Sequence, residues 1–290
     1  MELPRPLVST NWLAENINDP DLLIFDVSIY LEFVEGRGNQ ASSGKDKYLE
    51  SHIHGAQFLD LIRELSDADT TIPFMMPAAD RLAQILEDYG VGDNSKIVIY
   101  NDGVPMWSTR LWWMIRSIGF DSVSVLDGGW QKWQAEDKPV DSQDALIRRS
   151  TGLTADPQPQ FWADKATMTD NIESASACTI NALSPQVFTG ELNQYGRPGH
   201  IPGSHNVYYG SLLNKQDGTF VAPDSLRQKF ENIGALGEKP VITYCGGGIS
   251  ATMDALMLFM LGKTDVAVYD GSMAEWARDA ALPLSLGDAP

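Results

Sequence analysis

Cys245 opens the segment Cys245-Gly246-Gly247-Gly248-Ile249-Ser250 and is the residue in this chain best suited to nucleophilic chemistry. The apolar run Val241-Ile242-Thr243-Tyr244 before it reads as a buried strand, and residues 251–261 after it have the length and apolar content of a helix. A thiol therefore stands where a strand passes through a glycine-rich loop into a helix N-terminus. Backbone N–H groups of such a loop can turn inward around the sulfur, and the helix dipole adds positive potential at the same point. Both effects favour the thiolate, the form that attacks. Taken alone, a free cysteine is more often a small buried hydrophobe and a triple glycine a plain turn. The weight towards catalysis comes from the rest of the chain, which holds the same domain twice.

At a shift of 144 residues, the segment from Leu82 to Gly90 lies over that from Leu226 to Gly234, and Val98-Ile99-Tyr100-Asn101 lies over Ile242-Thr243-Tyr244-Cys245. At a shift of 143, Val123-Ser124-Val125-Leu126-Asp127-Gly128 lies over Val266-Ala267-Val268-Tyr269-Asp270-Gly271, and Trp133 meets Trp276. At a shift of 148, His52-Ile53-His54-Gly55 lies over His200-Ile201-Pro202-Gly203. Within each copy, short apolar strands alternate with helical stretches such as 80–89 and 109–118. This pattern predicts an α/β fold with a parallel sheet flanked by helices on both faces. The first domain is expected over residues 1–140, a proline-containing linker over 141–165 and the second domain over 166–290. Phe161 and Trp162 of the linker are expected to pack on a domain. Residues 35–47, rich in Gly, Ser, Asn and Gln, are expected to form a surface loop. Ligands in such folds bind at the carboxyl ends of strands. Cys245 occupies that place in one copy and Asn101 in the other, so one active site is expected.

With Gly199-His200-Ile201-Pro202-Gly203, Tyr269-Asp270-Gly271-Ser272, His52-Ile53-His54-Gly55-Ala56 and Leu126-Asp127-Gly128-Gly129 beside the Cys245 loop, the chain resembles the tandem-domain sulfurtransferases. These are rhodanese (thiosulfate sulfurtransferase) and 3-mercaptopyruvate sulfurtransferase. The resemblance covers nearly all 290 residues. It implies two rhodanese-like domains, the first non-catalytic, and a covalent persulfide on Cys245. It also implies a small sulfur donor and a thiophilic acceptor such as cyanide or a thiol, a thioredoxin-like protein among them. Attack on the donor's outer sulfur, release of the remainder and transfer onward make a double displacement with ping-pong kinetics. The loop amides would stabilise the terminal sulfur. The scheme requires no metal or organic cofactor.

Departures from the family pattern leave the donor open. Rhodanese-type loops carry basic residues where this chain has Gly246 and Gly247. Mercaptopyruvate-type loops carry a Ser where it has Gly247. Asp60 matches an Asp that lies near the mercaptopyruvate site, and Phe74 stands in place of its His. The anion-gripping arginines fall at Leu183 and Val187. Arg197 is the candidate to supply the missing positive charge, so Asp60 and Arg197 are the expected substrate-binding residues.

The remaining candidates read as structural. Cys178 sits in a strand and reads as a buried thiol; two cysteines make no disulfide framework. His52 and His200 recur in both copies, one of which has no thiol, which favours packing over base catalysis. His54 and His205 have no metal-binding spacing. Trp107, Trp112 and Trp113 read chiefly as core, and Asp127 and Asp270 as turn residues. A Cys-phosphatase is disfavoured, because the residue six after Cys245 is Ala251 rather than Arg. A persulfide relay to a protein partner, with little turnover on free donors, is the alternative function.

Lys and Arg total 21 against 39 Asp and Glu, a formal net charge of −18, which opposes binding to nucleic acid or to an anionic membrane. No apolar run reaches the ~18 residues of a membrane span. The N-terminal residues lack a secretory apolar core. A cysteine that must stay reduced fits the cytoplasm as the expected location.

Overall fold

The computed structural model describes residues 2–34, 38–143, 145–147, 149–150 and 152–290. The described strands are β1 (Leu7–Val8), β2 (Leu22–Asp26), β3 (Ile29–Val34), β4 (Gly38–Ser43), β5 (His52–Ile53), β6 (Gln57–Phe58), β7 (Lys96–Tyr100), β8 (Val123–Leu126), β9 (Val140–Asp141), β10 (Trp162–Ala163), β11 (Cys178–Asn181), β12 (Ser204–Asn206), β13 (Val241–Tyr244) and β14 (Val266–Tyr269). The helices are α1 (Thr10–Asn16), α2 (Lys45–Glu50), α3 (Ala79–Asp88), α4 (Met106–Ser117), α5 (Gly129–Ala135), α6 (Lys165–Ser174), α7 (Pro185–Thr189), α8 (Pro223–Asn232), α9 (Ala251–Met260) and α10 (Ser272–Trp276).

The chain folds into two units. One comprises residues 1–68, 76–158 and 215–220; the other comprises 69–75, 159–214 and 221–290. Each holds a five-stranded sheet, in the order β1-β8-β7-β2-β6 in the first and β10-β14-β13-β11-β12 in the second. Every pairing within these two sheets is parallel. The orders match element for element, as duplication requires, and helices pack on both sheets. Central strands β2, β7, β11 and β13 are buried almost throughout, which accounts for the Val, Ile and Leu residues of β2, β7 and β13.

Small polar fixtures repeat as well. His52 Nδ1 lies 2.6 Å from Tyr48 O and Nε2 3.2 Å from Gln143 O; His200 Nδ1 lies 2.9 Å from Phe188 O and Nε2 3.1 Å from Ala289 O. Each imidazole also stacks on an aromatic ring, Tyr48 or Phe188. Tyr100 Oη accepts from Ile53 N, and Tyr244 Oη accepts from Ile201 N. Trp133 and Trp276 are fully buried, and each indole N–H donates at 2.9 Å to a proline carbonyl, of Pro139 and Pro283. Both histidines are thus held in the framework by their own unit.

Two local expectations are revised. The described part of the expected loop, residues 38–47, lies at the surface but is not irregular: β4 pairs antiparallel with β3 from Ile29↔Ser43 to Val34↔Gly38, and α2 begins at Lys45. The β4 sequence Gly-Asn-Gln-Ala-Ser-Ser has weak strand propensity, and the ladder to the β-branched and aromatic residues of β3 overrides it. Glu35, Gly36 and Arg37, at the start of that expected loop, lie outside the described residues. Within the expected linker, residues 141–158 group with the first unit and 159–165 with the second. Trp162 pairs with Val268 and so forms the edge of the second sheet. Asp144, Arg148 and Thr151 of that linker lie outside the described residues.

Candidate active site

Cys245 follows β13 directly and is 2% exposed. The helix after it, α9, is apolar on nearly every side and is buried from Ala251 to Leu258, so its N-terminus is fixed in depth by core packing. Ser250 stands at the N-cap but makes no side-chain cap bond. Among the described residues, the amides of Gly246, Gly247, Ile249 and Ser250 have no protein acceptor. Four donors are left for a ligand at the point where the α9 dipole is positive. Gly248 has φ 71°, the left-handed turn that lets the loop curl.

Ser272 shapes the loop from outside. Its hydroxyl accepts from Cys245 N at 3.1 Å and from Gly248 N at 3.0 Å, and it donates to Tyr269 O at 2.7 Å. Ser272 itself sits at φ 47°, a conformation that a non-glycine residue adopts at a strain of about 1–3 kcal/mol. Three hydrogen bonds hold it there. The next two amides of α10 complete the frame: Met273 N donates to Cys245 O at 3.1 Å and Ala274 N to Gly246 O at 2.7 Å. The orphan donors of one short helix thus fasten the loop, which leaves its own amides unused.

Two tyrosines lie close enough to Cys245 for its charge to act on them. The Tyr195 ring lies against Gly246. Burial pushes its phenol well above the ordinary value, and a thiolate at Cys245 pushes it the same way. Tyr209 is pushed up to about 12 by burial, by Tyr208 and by Cys245. Both hydroxyls therefore stay protonated at neutral pH. Neither tyrosine stood out in the sequence. Tyr195 lies in the polar stretch Asn193-Gln194-Tyr195-Gly196, which carries no period, and Tyr208-Tyr209 follows a short strand like any aromatic pair. Ser272 was visible only as part of the Tyr269-Asp270-Gly271-Ser272 motif.

The structure brings Cys245, Gly246, Gly247, Gly248, Ile249 and Ser250 together as one loop. Arg197 has another task. Its Nη1 donates to Asp279 O and its Nη2 to Leu282 O, both at 2.8 Å, so the guanidinium clamps the segment after α10. Charge alone suggested a substrate role, but backbone carbonyls already occupy both ends of the fork. Asp60 belongs to the first unit. Its Oδ1 accepts from Ile62 N at 2.9 Å and Arg63 N at 3.1 Å, and its Oδ2 accepts from Ser43 Oγ at 2.8 Å. Phe74 belongs to a segment that groups with the second unit, and Pro73 O lies 3.9 Å from the Cβ position of Gly247. Cys178 Sγ lies 3.4 Å from Ile233 O, and partial burial raises its thiol, which disfavours the thiolate. Among the described residues no group of three His, Cys, Asp or Glu is placed to hold a metal ion.

Residues 9–136 and 190–279 match the family model described as Rhodanese-like domain. The chain belongs to the tandem rhodanese family. Within it, the thiosulfate/3-mercaptopyruvate sulfurtransferase 2 of Arabidopsis thaliana is 33% identical, over 97% of this chain and 86% of that protein. The 3-mercaptopyruvate sulfurtransferase of Escherichia coli K12 is 31% identical over 96% of both chains, and the human 3-mercaptopyruvate sulfurtransferase 32% identical over 95% of this chain and 93% of that one. The crystal structure of SseA from Escherichia coli, a 3-mercaptopyruvate sulfotransferase, superposes with a TM-score of 0.80 at 30% identity, covering 92% of this chain and 98% of that chain. Tum1 from Saccharomyces cerevisiae shares the fold at a TM-score of 0.83 and 20% identity, over 98% and 99% of the two chains. This tandem rhodanese protein is accordingly a member of the 3-mercaptopyruvate/thiosulfate sulfurtransferase family.

Proposed function

We propose that Cys245 carries the sulfur and that 3-mercaptopyruvate is the better donor, thiosulfate the poorer one. The observation that carries this is the loop of four amides without protein acceptors around a buried thiol. The Cys245 thiolate attacks the donor's sulfur. The sulfur–carbon bond of mercaptopyruvate breaks with its electron pair on carbon, giving the pyruvate enolate. The proton of the donor thiol ends on that carbon, and Cys245 is left as a persulfide anion within reach of the amides. Thiosulfate would instead release sulfite, and its dianion asks for a cation that Gly246, Gly247, Leu183 and Val187 do not provide. Cyanide or a thiol then attacks the outer sulfur and restores the thiolate.

The engagement of Arg197 with two carbonyls favours a second reading, in which the acceptor is a thioredoxin-like protein and free donors turn over slowly. A reducing compartment such as the cytoplasm suits either reading. Intact mass after incubation with each donor tests the assignment. One added sulfur from mercaptopyruvate, lost on adding cyanide and absent in Cys245→Ser, is expected. No added sulfur from either donor would reject it.

A further inference from the structure

Gly246 and Gly247 are adjacent, yet they are glycines for different reasons. Neither has the left-handed φ of Gly248, so backbone conformation does not require them. A Cβ on Gly247 would meet open space, with Pro73 O at 3.9 Å its nearest neighbour. A Cβ on Gly246 would lie 2.6 Å from Cζ and 2.9 Å from Cε1 of Tyr195, and nearer still to the hydroxyl, closer than real Cβ atoms come to any neighbour. A side chain at position 246 therefore requires the Tyr195 ring to shift. The chain is anchored near both sides of the contact. Ala274 N holds Gly246 O at 2.7 Å, and Arg197, two residues beyond Tyr195, is fixed by its two carbonyls.

Given sulfur transfer at Cys245, on which this rests, we propose that Tyr195 determines donor specificity. Its ring takes the space that a basic residue at position 246 would need, and its hydroxyl hydrogen-bonds the carbonyl or carboxylate oxygen of an anionic α-keto thiol. A phenol kept neutral by burial and by the neighbouring thiolate donates a hydrogen bond without adding charge. Such a donor matches a leaving enolate, whose negative charge gathers on one oxygen as the sulfur–carbon bond breaks. It serves a sulfite leaving group poorly, because that dianion spreads two charges over three oxygens and calls for a cation. In this step the phenol keeps its proton; the proton that reaches the enolate carbon is the one the donor thiol loses. Tyr209 is a second phenol near enough for the charge of Cys245 to raise it.

Steady-state kinetics on both donors, with a thermal-stability cycle alongside, test the two halves of the proposal. Tyr195→Phe keeps the ring and removes the hydroxyl. Its kcat/KM on mercaptopyruvate should fall about tenfold or more, with little change on thiosulfate. Gly246→Arg alone should lose activity on both donors, since the ring occupies its space. Tyr195→Ala/Gly246→Arg should regain thiosulfate use and reverse the donor preference. For the packing half, Gly246→Ala should lower Tm in the wild-type background and leave it unchanged in the Tyr195→Ala background. Equal Tm losses in both backgrounds, or an unchanged donor ratio in both Tyr195→Phe and the double variant, would overturn the proposal. If neither donor sulfurates the wild type, the sulfur-transfer reading fails instead, and the specificity role with it, while the Tm cycle still decides the packing.

Discussion

The loop after β7 and the loop after β13 begin at the same strand end in the same fold, and they handle it in opposite ways. In the first unit, the Asn101 side chain turns back into its own loop. Its Nδ2 donates to Asp102 O at 2.7 Å and Val104 O at 2.9 Å, and its Oδ1 accepts from the amide and hydroxyl of Ser108. Asp102 N is spent on Ser28 Oγ at 2.9 Å, and Pro105 has no N–H to offer. In the second unit, glycines and Ile249 replace these groups, Ser272 holds the loop from outside, and four amides remain for a ligand. One loop is filled by its own side chain; the other is framed by its neighbours and keeps its amides unused. The helices that follow diverge in the same way. At equivalent positions Arg110 of α4 and Asp254 of α9 are both fully buried.

The sharpest way to break the comparison is to exchange the residues at the strand ends. Cys245→Ser should abolish sulfur uptake from every donor, whereas Cys178→Ser should leave most activity. In the Cys245→Ser background, Asn101→Cys should restore no persulfide by intact mass. It should also destabilise the protein by about 2–4 kcal/mol, because Ser108, Asp102 O and Val104 O lose buried partners. Sulfur found at position 101 of that variant would mean that the strand-end position, not the loop around it, makes the site.

Ser272→Ala removes the hydroxyl that bridges Cys245 N and Gly248 N. We expect a stability loss of about 1–3 kcal/mol in denaturant unfolding, and persulfide formation slowed roughly tenfold as the loop loses its frame. Arg197→Ala should show its loss in Tm, with KM rising for both donors alike. A substrate-gripping Arg would instead leave Tm unchanged and raise KM most for thiosulfate.

Gly247→Lys has room for its side chain and places a cation beside the loop. It should improve kcat/KM for thiosulfate more than for mercaptopyruvate. Tight thiosulfate binding by wild type, unaltered by the lysine, would mean that another basic group completes the site.

The smallest effect expected is a pH dependence of stability. Asp254 is buried with neither carboxylate oxygen hydrogen-bonded, and burial raises its carboxyl well above the ordinary value. The folded state therefore binds this proton more tightly than the unfolded state, so stability falls as pH rises above the unfolded value of about 4. Asp254→Asn should be no more stable than wild type below that pH and should gain on it steadily towards neutrality, as followed by Tm against pH. Parallel curves would show that Asp254 titrates alike in the folded and unfolded states.

The sequence alone determined the duplication, the α/β alternation and the place of Cys245, because each rests on local order. Apolar runs mark β2, β7, β8 and β13, glycines mark the turn, and repeated motifs mark the second copy. It also marked Cys178, His52 and His200 as framework residues, the histidines through their recurrence in a copy without a thiol. Tertiary structure decided whatever depends on which groups meet across long separations. Arg197 looked like a substrate cation until carbonyls 82 and 85 residues away claimed it. Ser272 acquired its role by meeting amides 27 and 24 residues back. Tyr195 carried no period or motif and became visible only where its ring took the space above Gly246. Hydrogen-bond occupancy and excluded volume are properties of pairs in space, and no spacing along the chain encodes them.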